Sequence, residues 1–243
     1  MRREFVRHKN YLAFLEVVES VRERSAHGDR IAAVYGEPGT GKTLSAQRFA
    51  VDSDAIYISC HNLSTSRWLL TEIGKALKLP RYHSTHLMLE EIVGTLSTAE
   101  NNRIIIIDEM DIPKRGQKYD VLETVRGIHD AAKSPFILMG MHNFPRVLSY
   151  VPHLLDRMCS IRQFQTFTDS DVMEFANILL EHTQLERSAA SLIQRHSLGR
   201  LRKIMKYLLI CDRFARRNKL PALKADDIEE TFRTVLTKER KHG

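Results

Sequence analysis

A chain of 243 residues, 43% hydrophobic and 28% charged, has the composition of a soluble globular protein with room for one large domain or a medium and a small one. No apolar run approaches the ~20 residues that cross a bilayer. Met1-Arg2-Arg3-Glu4-Phe5 is not followed by an apolar signal core, so no membrane role is expected and a cytoplasmic location is the default. The net charge of +7 is compatible with a polyanionic partner or with an ordinary basic surface. Cys60, Cys159 and Cys211 are too far apart for a metal-ligand pattern or a disulfide framework, and the histidines show no zinc spacing.

In chain order, residues 1–28 read as a helical leader. Tyr11, Phe14, Leu15 and Val18 form its apolar stripe, residues 26–29 end it, and it is expected to pack against the domain that follows. Ile31–Tyr35 is a short β-branched and aromatic run, the pattern of a buried strand. Gly36-x-x-x-x-Gly41-Lys42-Thr43 then matches a phosphate-binding loop in full. Glycines let successive backbone N–H groups turn toward one anion. Lys42 brings a mobile positive charge, the Thr43 hydroxyl is a hard oxygen ligand for Mg²⁺, and the helix that opens near Lys42 adds its N-terminal dipole. The nucleotide contacts expected here are Gly36, Glu37, Pro38, Gly39, Thr40, Gly41, Lys42, Thr43 and Leu44.

Residues 55–60 predict a second strand, and Ser64-Thr65-Ser66 starts a helix that runs to about Leu79, where Pro80 stops it. Ser84 or Thr85 caps the next helix, striped by Leu89, Ile92, Val93 and Leu96. Ile104-Ile105-Ile106-Ile107-Asp108-Glu109 predicts a strand buried on both faces, with two carboxylates at its carboxyl end. That edge is where open α/β sheets bind ligands. Asp108 suits Mg²⁺ held through water, and Glu109 suits orientation of an attacking water. Residues 119–132 predict a helix and 135–141 a fourth strand. His142 and Asn143 follow, near where a polar side chain meets a γ-phosphate. A short helix over 144–151 and a fifth strand near 160–164 complete a first domain, 29–167. From Thr168 the chain reads as helices only, about 169–182, 187–197, 199–217 and 225–240, with Thr168-Asp169-Ser170-Asp171 as an N-terminal capping signature. This second domain, 168–243, ends in a charged tail over 238–242.

Taken together, the loop, the Asp-Glu pair, the Arg157 region and the helical C-terminal domain resemble the AAA+ ATPases, with 36–43 similar to Walker A and 104–109 to Walker B. Within that class the chain is most similar to the phage Mu-type transposition protein B group. The similarity runs through Thr71-Glu72-Ile73-Gly74-Lys75-Ala76-Leu77, residues 105–111, 138–142 and 155–157, and Gly199-Arg200-Leu201-Arg202. The resemblance implies an α/β P-loop NTPase fold, with a parallel five-stranded sheet between helices and a small all-helical C-terminal lid. It implies ATP and Mg²⁺ as ligands, Arg157 as an arginine finger acting in a neighbouring subunit, and Arg202 as sensor 2. Met141 stands at the sensor-1 position, usually polar in these relatives, with His142 or Asn143 as substitutes.

On this reading the chain is an ATPase, oligomerising on duplex DNA and regulating a transposase. Phosphate contacts are expected from Arg67, Lys114, Arg115 and Lys118, with hydroxyls from Thr65 and Ser66. The alternatives are a helicase-loading or replication-initiation ATPase, a nucleotide-gated interaction switch with slow hydrolysis, and a small-molecule P-loop kinase. The last is disfavoured by the helical C-terminal domain.

Overall fold

The computed structural model describes every residue except 3, 24–28, 82, 99–102, 230, 231 and 233–243. The chain divides into two compact units. One holds residues 10–37 and 42–164; the other holds 1–9, 38–41 and 165–243.

The first unit contains α1 (Lys9–Arg22), β1 (Ile31–Gly36), α2 (Lys42–Ser53), β2 (Ile56–Ser59), α3 (Ser66–Ala76), α4 (Thr85–Leu96), β3 (Ile105–Asp108), α5 (Arg115–Ala132), β4 (Phe136–Gly140), α6 (Phe144–Leu148), α7 (Pro152–Leu155) and β5 (Met158–Phe164). Its sheet has the order β2-β3-β4-β1-β5, and every pairing is parallel. The isoleucine run alternates across it. Ile105 and Ile107 face a core built with α3, α4, α5, α6 and α7, while Ile104 and Ile106 face a second core with α1 and α2. Both faces of the sheet are therefore covered, which is why its strands read as unbroken apolar runs. Phe14, Val17, Val18 and Val21 put the apolar stripe of α1 into the second core. The helix itself spans Lys9–Arg22 rather than 1–28, and the expected terminator at 26–28 lies outside the described residues.

Helix starts follow local chemistry. The Thr65 hydroxyl accepts from the Trp68 amide at 3.2 Å and caps α3; Ser84 accepts from Leu87 at 3.4 Å and caps α4. Helix α3 ends at Ala76, earlier than expected, because Lys78 turns the chain with φ of 60° before Pro80 is reached.

The second unit contains α8 (Asp169–Leu179), β6 (Gln184–Leu185), α9 (Arg187–Ser197), α10 (Leu201–Asn218) and β7 (Ala222–Leu223), with residues 225–229 helical. Thr168 and Asp171 form the capping box: the Thr168 amide donates to the Asp171 carboxylate at 2.6 Å, and the Asp171 amide donates back to the Thr168 hydroxyl. The expectation of helices only is corrected here, because β6 and β7 pair in parallel. Two residues each are too few to show period-2 alternation. The predicted helix over 225–240 is described only to 229 and at Phe232, and the charged tail lies outside the described residues.

His8 belongs to this unit. Its ring lies edge-on to Phe167 with centroids 5.3 Å apart, and burial, partly opposed by Asp171, lowers its pKa to about 4. The fold therefore favours neutral imidazole. Above pH 6.5 there is no penalty. Between 6.5 and 4 the unfolded chain binds a proton that the native state refuses, so stability falls as pH falls. The expected loss is roughly 2–3 kcal/mol across that window, read as a drop in Tm; His8→Phe should flatten this part of the Tm–pH curve.

Candidate active site

The carboxyl ends of β1, β3 and β4 deliver the polar residues of the first unit, as parallel strands must when their right-handed crossovers return behind the sheet. Gly36 closes β1 with φ of 154°, and a Cβ there would lie 2.7 Å from the carbonyl oxygen of Phe164 on β5. Only glycine passes at this point. Lys42 then opens α2, and its ammonium donates to the carbonyls of Gly36 (2.7 Å) and Glu37 (3.1 Å). Burial lowers its pKa, with Asp108, Asp111 and Glu37 pulling the other way.

Asp108 is 2% exposed at the end of β3. One carboxylate oxygen accepts from the Thr43 hydroxyl at 2.7 Å and from the Tyr57 phenol at 2.9 Å; the other accepts from the Glu109 amide at 2.8 Å. Burial, and then the neighbouring charge of Asp108, raise the Tyr57 pKa, so Tyr57 is a donor throughout the physiological range. Glu109 follows in the left-handed region at φ of 59°, an unusual conformation for a residue with a Cβ. Its carboxylate accepts from the Ser59 hydroxyl at 3.2 Å. Tyr57 and Ser59 were missed by sequence reasoning. Their two-residue spacing on β2 was visible, but that β2 lies beside β3, with Ser59 opposite Asp108, is a fact of tertiary register.

At the end of β4 the Met141 amide donates to the Asp111 carboxylate at 2.9 Å, while the Met141 side chain is exposed. His142 is exposed and its Nδ1 lies 3.7 Å from the Glu37 carboxylate, so the structure brings it to the loop. Asn143 is the N-cap of α6 without a side-chain capping bond. Arg157 is engaged within the chain. Its Nε donates to Asp130 at 2.5 Å and one Nη to the His153 carbonyl at 2.5 Å. Burial raises the Asp130 pKa, but Arg157 and Arg126 outweigh it and hold the carboxyl below its usual value.

The residues expected to touch nucleic acid sit at the starts of α3 and α5. Thr65 spends its hydroxyl as a helix cap, Ser66 is the first residue of α3, and Arg67 is exposed, 3.5 Å from the Thr85 hydroxyl. Lys114 is exposed at the N-cap of α5, whereas the Lys118 ammonium donates to the Asp111 carbonyl at 2.7 Å. The Arg115 side chain lies outside the described residues.

Residues 38–41 belong to the second unit, where Gly39 and Gly41 have φ of 84° and 93°. The Gly39 carbonyl accepts from the Leu201 amide at 2.7 Å. A Cβ on Gly39 would lie 3.2 Å from that of Arg200, and one on Gly41 would lie 3.1 Å from Leu201 and 3.2 Å from the His8 ring. Pro38 is exposed and Thr40 fully buried; Leu44, in the first unit, is exposed. Arg202 is exposed in the first turn of α10. Arg200, the residue against Gly39, was not singled out from sequence; with two arginines in residues 199–202, spacing alone does not choose between them.

Residues 24–148 match the family described as an AAA domain. No curated protein matches the chain. Among solved structures the fold is similar to that of Cdc6p from Pyrobaculum aerophilum, with TM-score 0.66 at 16% identity over 96% of this chain and 70% of that one. It is also similar to the Aeropyrum pernix ORC2 protein in its ADPNP-ADP complexes, with TM-score 0.65 at 17% identity over 93% of this chain and 67% of that one. A third similar structure is the Aeropyrum pernix ORC1 protein in complex with DNA, with TM-score 0.59 at 17% identity over 94% of this chain and 65% of that one. At such identities the likeness is one of fold.

The Asp108 cluster generates a direct expectation. Tyr57→Phe removes one of three donors to a buried carboxylate and should cost about 1.5 kcal/mol of unfolding free energy, measured by denaturant titration, with the far-ultraviolet spectrum unchanged.

Proposed function

The chain belongs to the AAA domain family, and from that membership we propose that it is an ATP-hydrolysing protein that assembles on duplex DNA. The observation that carries the proposal is the Asp108 cluster: a buried carboxylate bonded to the Thr43 hydroxyl at the start of α2, with Glu109 next in the chain and Lys42 held over the loop carbonyls. The residues present fit a magnesium nucleotide. Thr43 and Asp108 offer a hard cation only oxygen, and the glycines at 36, 39 and 41 keep the loop free of side chains. Mg²⁺, when bound, supplies charge neutralisation on the phosphates.

The chain's own groups divide the remaining work. Lys42 exchanges two carbonyl partners for phosphate oxygens, a gain in charge complementarity. Glu109 accepts from Ser59 and is the group placed to orient a water. Arg157 acts on the site of a neighbouring copy. Its Nε and one Nη are engaged, and its second Nη makes no hydrogen bond among the described residues, so a donor remains for that role. A trans arginine is worth ~10³–10⁵ in rate, which ties turnover to assembly. Arg202, exposed in the first turn of α10, takes the sensor-2 role that the sequence resemblance implies. His142, beside Glu37, and Asn143 stand in for a sensor at the end of β4.

Two outputs for the assembled state have support. Regulation of a transposase rests on the sequence resemblance to the Mu-type transposition group. A replication-initiation or helicase-loading role rests on the fold it shares with Cdc6p and with ORC1, the latter solved with DNA. Contact with DNA in either case is through phosphates from Arg67, Lys114 and Arg115, hence steeply salt-dependent. Reconstitution with a transposase or with a replicative helicase separates the two outputs.

The nucleotide mechanism is tested by three variants, scored by phosphate release and by electron microscopy on duplex DNA. Lys42→Ala should lose both hydrolysis and ATP-dependent assembly. Glu109→Gln should keep assembly while hydrolysis falls ~10²-fold or more. Arg157→Ala should fall ~10³-fold and regain turnover when mixed with Lys42→Ala subunits, which carry an intact Arg157. Assembly of Lys42→Ala on duplex without nucleotide, as readily as the unaltered chain, would defeat the reading.

A further inference from the structure

A cavity of about 410 Å³ opens between α3, the loop that follows it, and α4. None of its lining residues belongs to the Asp108 cluster or the phosphate loop. Its wall carries Arg67, Lys75, Arg81 and His83 and, among the described residues, no carboxylate. Glu72, outside the wall, pairs with Lys75 at 2.7 Å. Among the described residues the Arg67 guanidinium makes only the 3.5 Å contact with Thr85, and the Arg81 and His83 side chains make no hydrogen bond or ion pair. The floor is apolar, built by Leu79, Pro80 and Met88.

Gly74 is the second observation. It lies in the body of α3, is buried, and lines the cavity, yet a Cβ there would meet nothing within 4 Å. Glycine inside a helix costs stability relative to alanine. No neighbour among the described residues requires the missing methyl, so the position leaves open space over an apolar floor inside a ring of positive charge.

We propose that this cavity is a docking site for an acidic segment of a partner protein, in which an apolar anchor side chain is flanked by carboxylates. The anchor fills the space at Gly74 over Leu79 and Met88, and a flanking carboxylate pairs with Arg81. Such a combination of filled pocket and flanking charge pairs is how short segments gain affinity and specificity. Duplex DNA fits the same residues less well. Phosphate contacts make no use of an apolar floor, and the duplex backbone presents no side chain to enter a cavity.

The test uses the full chain and a dye-labelled peptide of glutamates and aspartates around a central phenylalanine–leucine pair, with a lysine-for-acid peptide as control, read by fluorescence anisotropy. The acidic peptide should bind saturably and weaken with salt, and the control should not bind. Gly74→Leu, which fills the cavity without changing charge, and Arg81→Glu, on the loop, should each weaken binding about tenfold or more. Both should leave affinity for a short duplex unchanged. Gly74→Ala serves where the leucine variant does not fold, with a smaller loss expected. Absence of saturable peptide binding overturns the proposal, as does full binding by folded Gly74→Leu. Displacement of the peptide by duplex DNA, with an equal loss of DNA affinity in Gly74→Leu, overturns it in favour of a nucleic-acid contact.

Discussion

The hydrogen bond from Thr43 to Asp108 is the contact on which the first unit's polar architecture depends. Asp108 is carried into the interior because the isoleucines before it are covered by helices on both faces of the sheet. A carboxylate at that depth is costly unless its lone pairs are filled. Thr43, Tyr57 and the Glu109 amide fill them, and they come from the first turn of α2, from β2 and from the residue that leaves β3. Satisfying one buried charge thus holds three segments to a common point. Glu109 leaves β3 with its amide on the preceding carboxylate and its own backbone in the left-handed region.

Much of this was legible in the residues. The apolar runs at 31–35 and 135–141 read as strands and the isoleucines at 104–107 as a strand buried on both faces, and the glycine spacing at 36 and 41 marked where the chain curls. The order of the strands was not legible, because β4 enters between β1 and β3 through long-range packing that no local period encodes. Tyr57 and Ser59 became visible only with that order. The β6–β7 pair was invisible for another reason: two residues in each strand carry no periodicity, and the strands lie far apart in the chain.

Charge was the least informative signal at the level of sequence, and the structure explains why. A net charge counts side chains without their partners. Lys118 is bonded to the Asp111 carbonyl, Arg157 to Asp130 and the His153 carbonyl, and Arg30, 4% exposed, to the Val21 carbonyl at 2.8 Å and the Lys133 carbonyl at 3.2 Å. These cations are committed to holding the fold. Arg81 and Lys114 are exposed and have no such commitment among the described residues. Net charge therefore does not separate cations that hold the fold from cations free to meet a polyanion or an acidic segment.

In the second unit the loop residues carry a constraint of their own. Arg200, at the N-cap of α10, contributes no side-chain cap, so the Leu201 amide is among the donors that a helix leaves without an internal partner. The Gly39 carbonyl satisfies it at 2.7 Å. That bond fixes the direction of one peptide plane in the loop. Gly39 and Gly41 are then restricted twice, once by positive φ and once by Arg200, Leu201 and His8, which occupy the space a Cβ would need. A loop whose amides must converge on an anion gains from such an external hold, because each peptide plane fixed in advance is conformational entropy that does not have to be lost on binding. The glycines at 39 and 41 are in this sense required by the packing of their own unit.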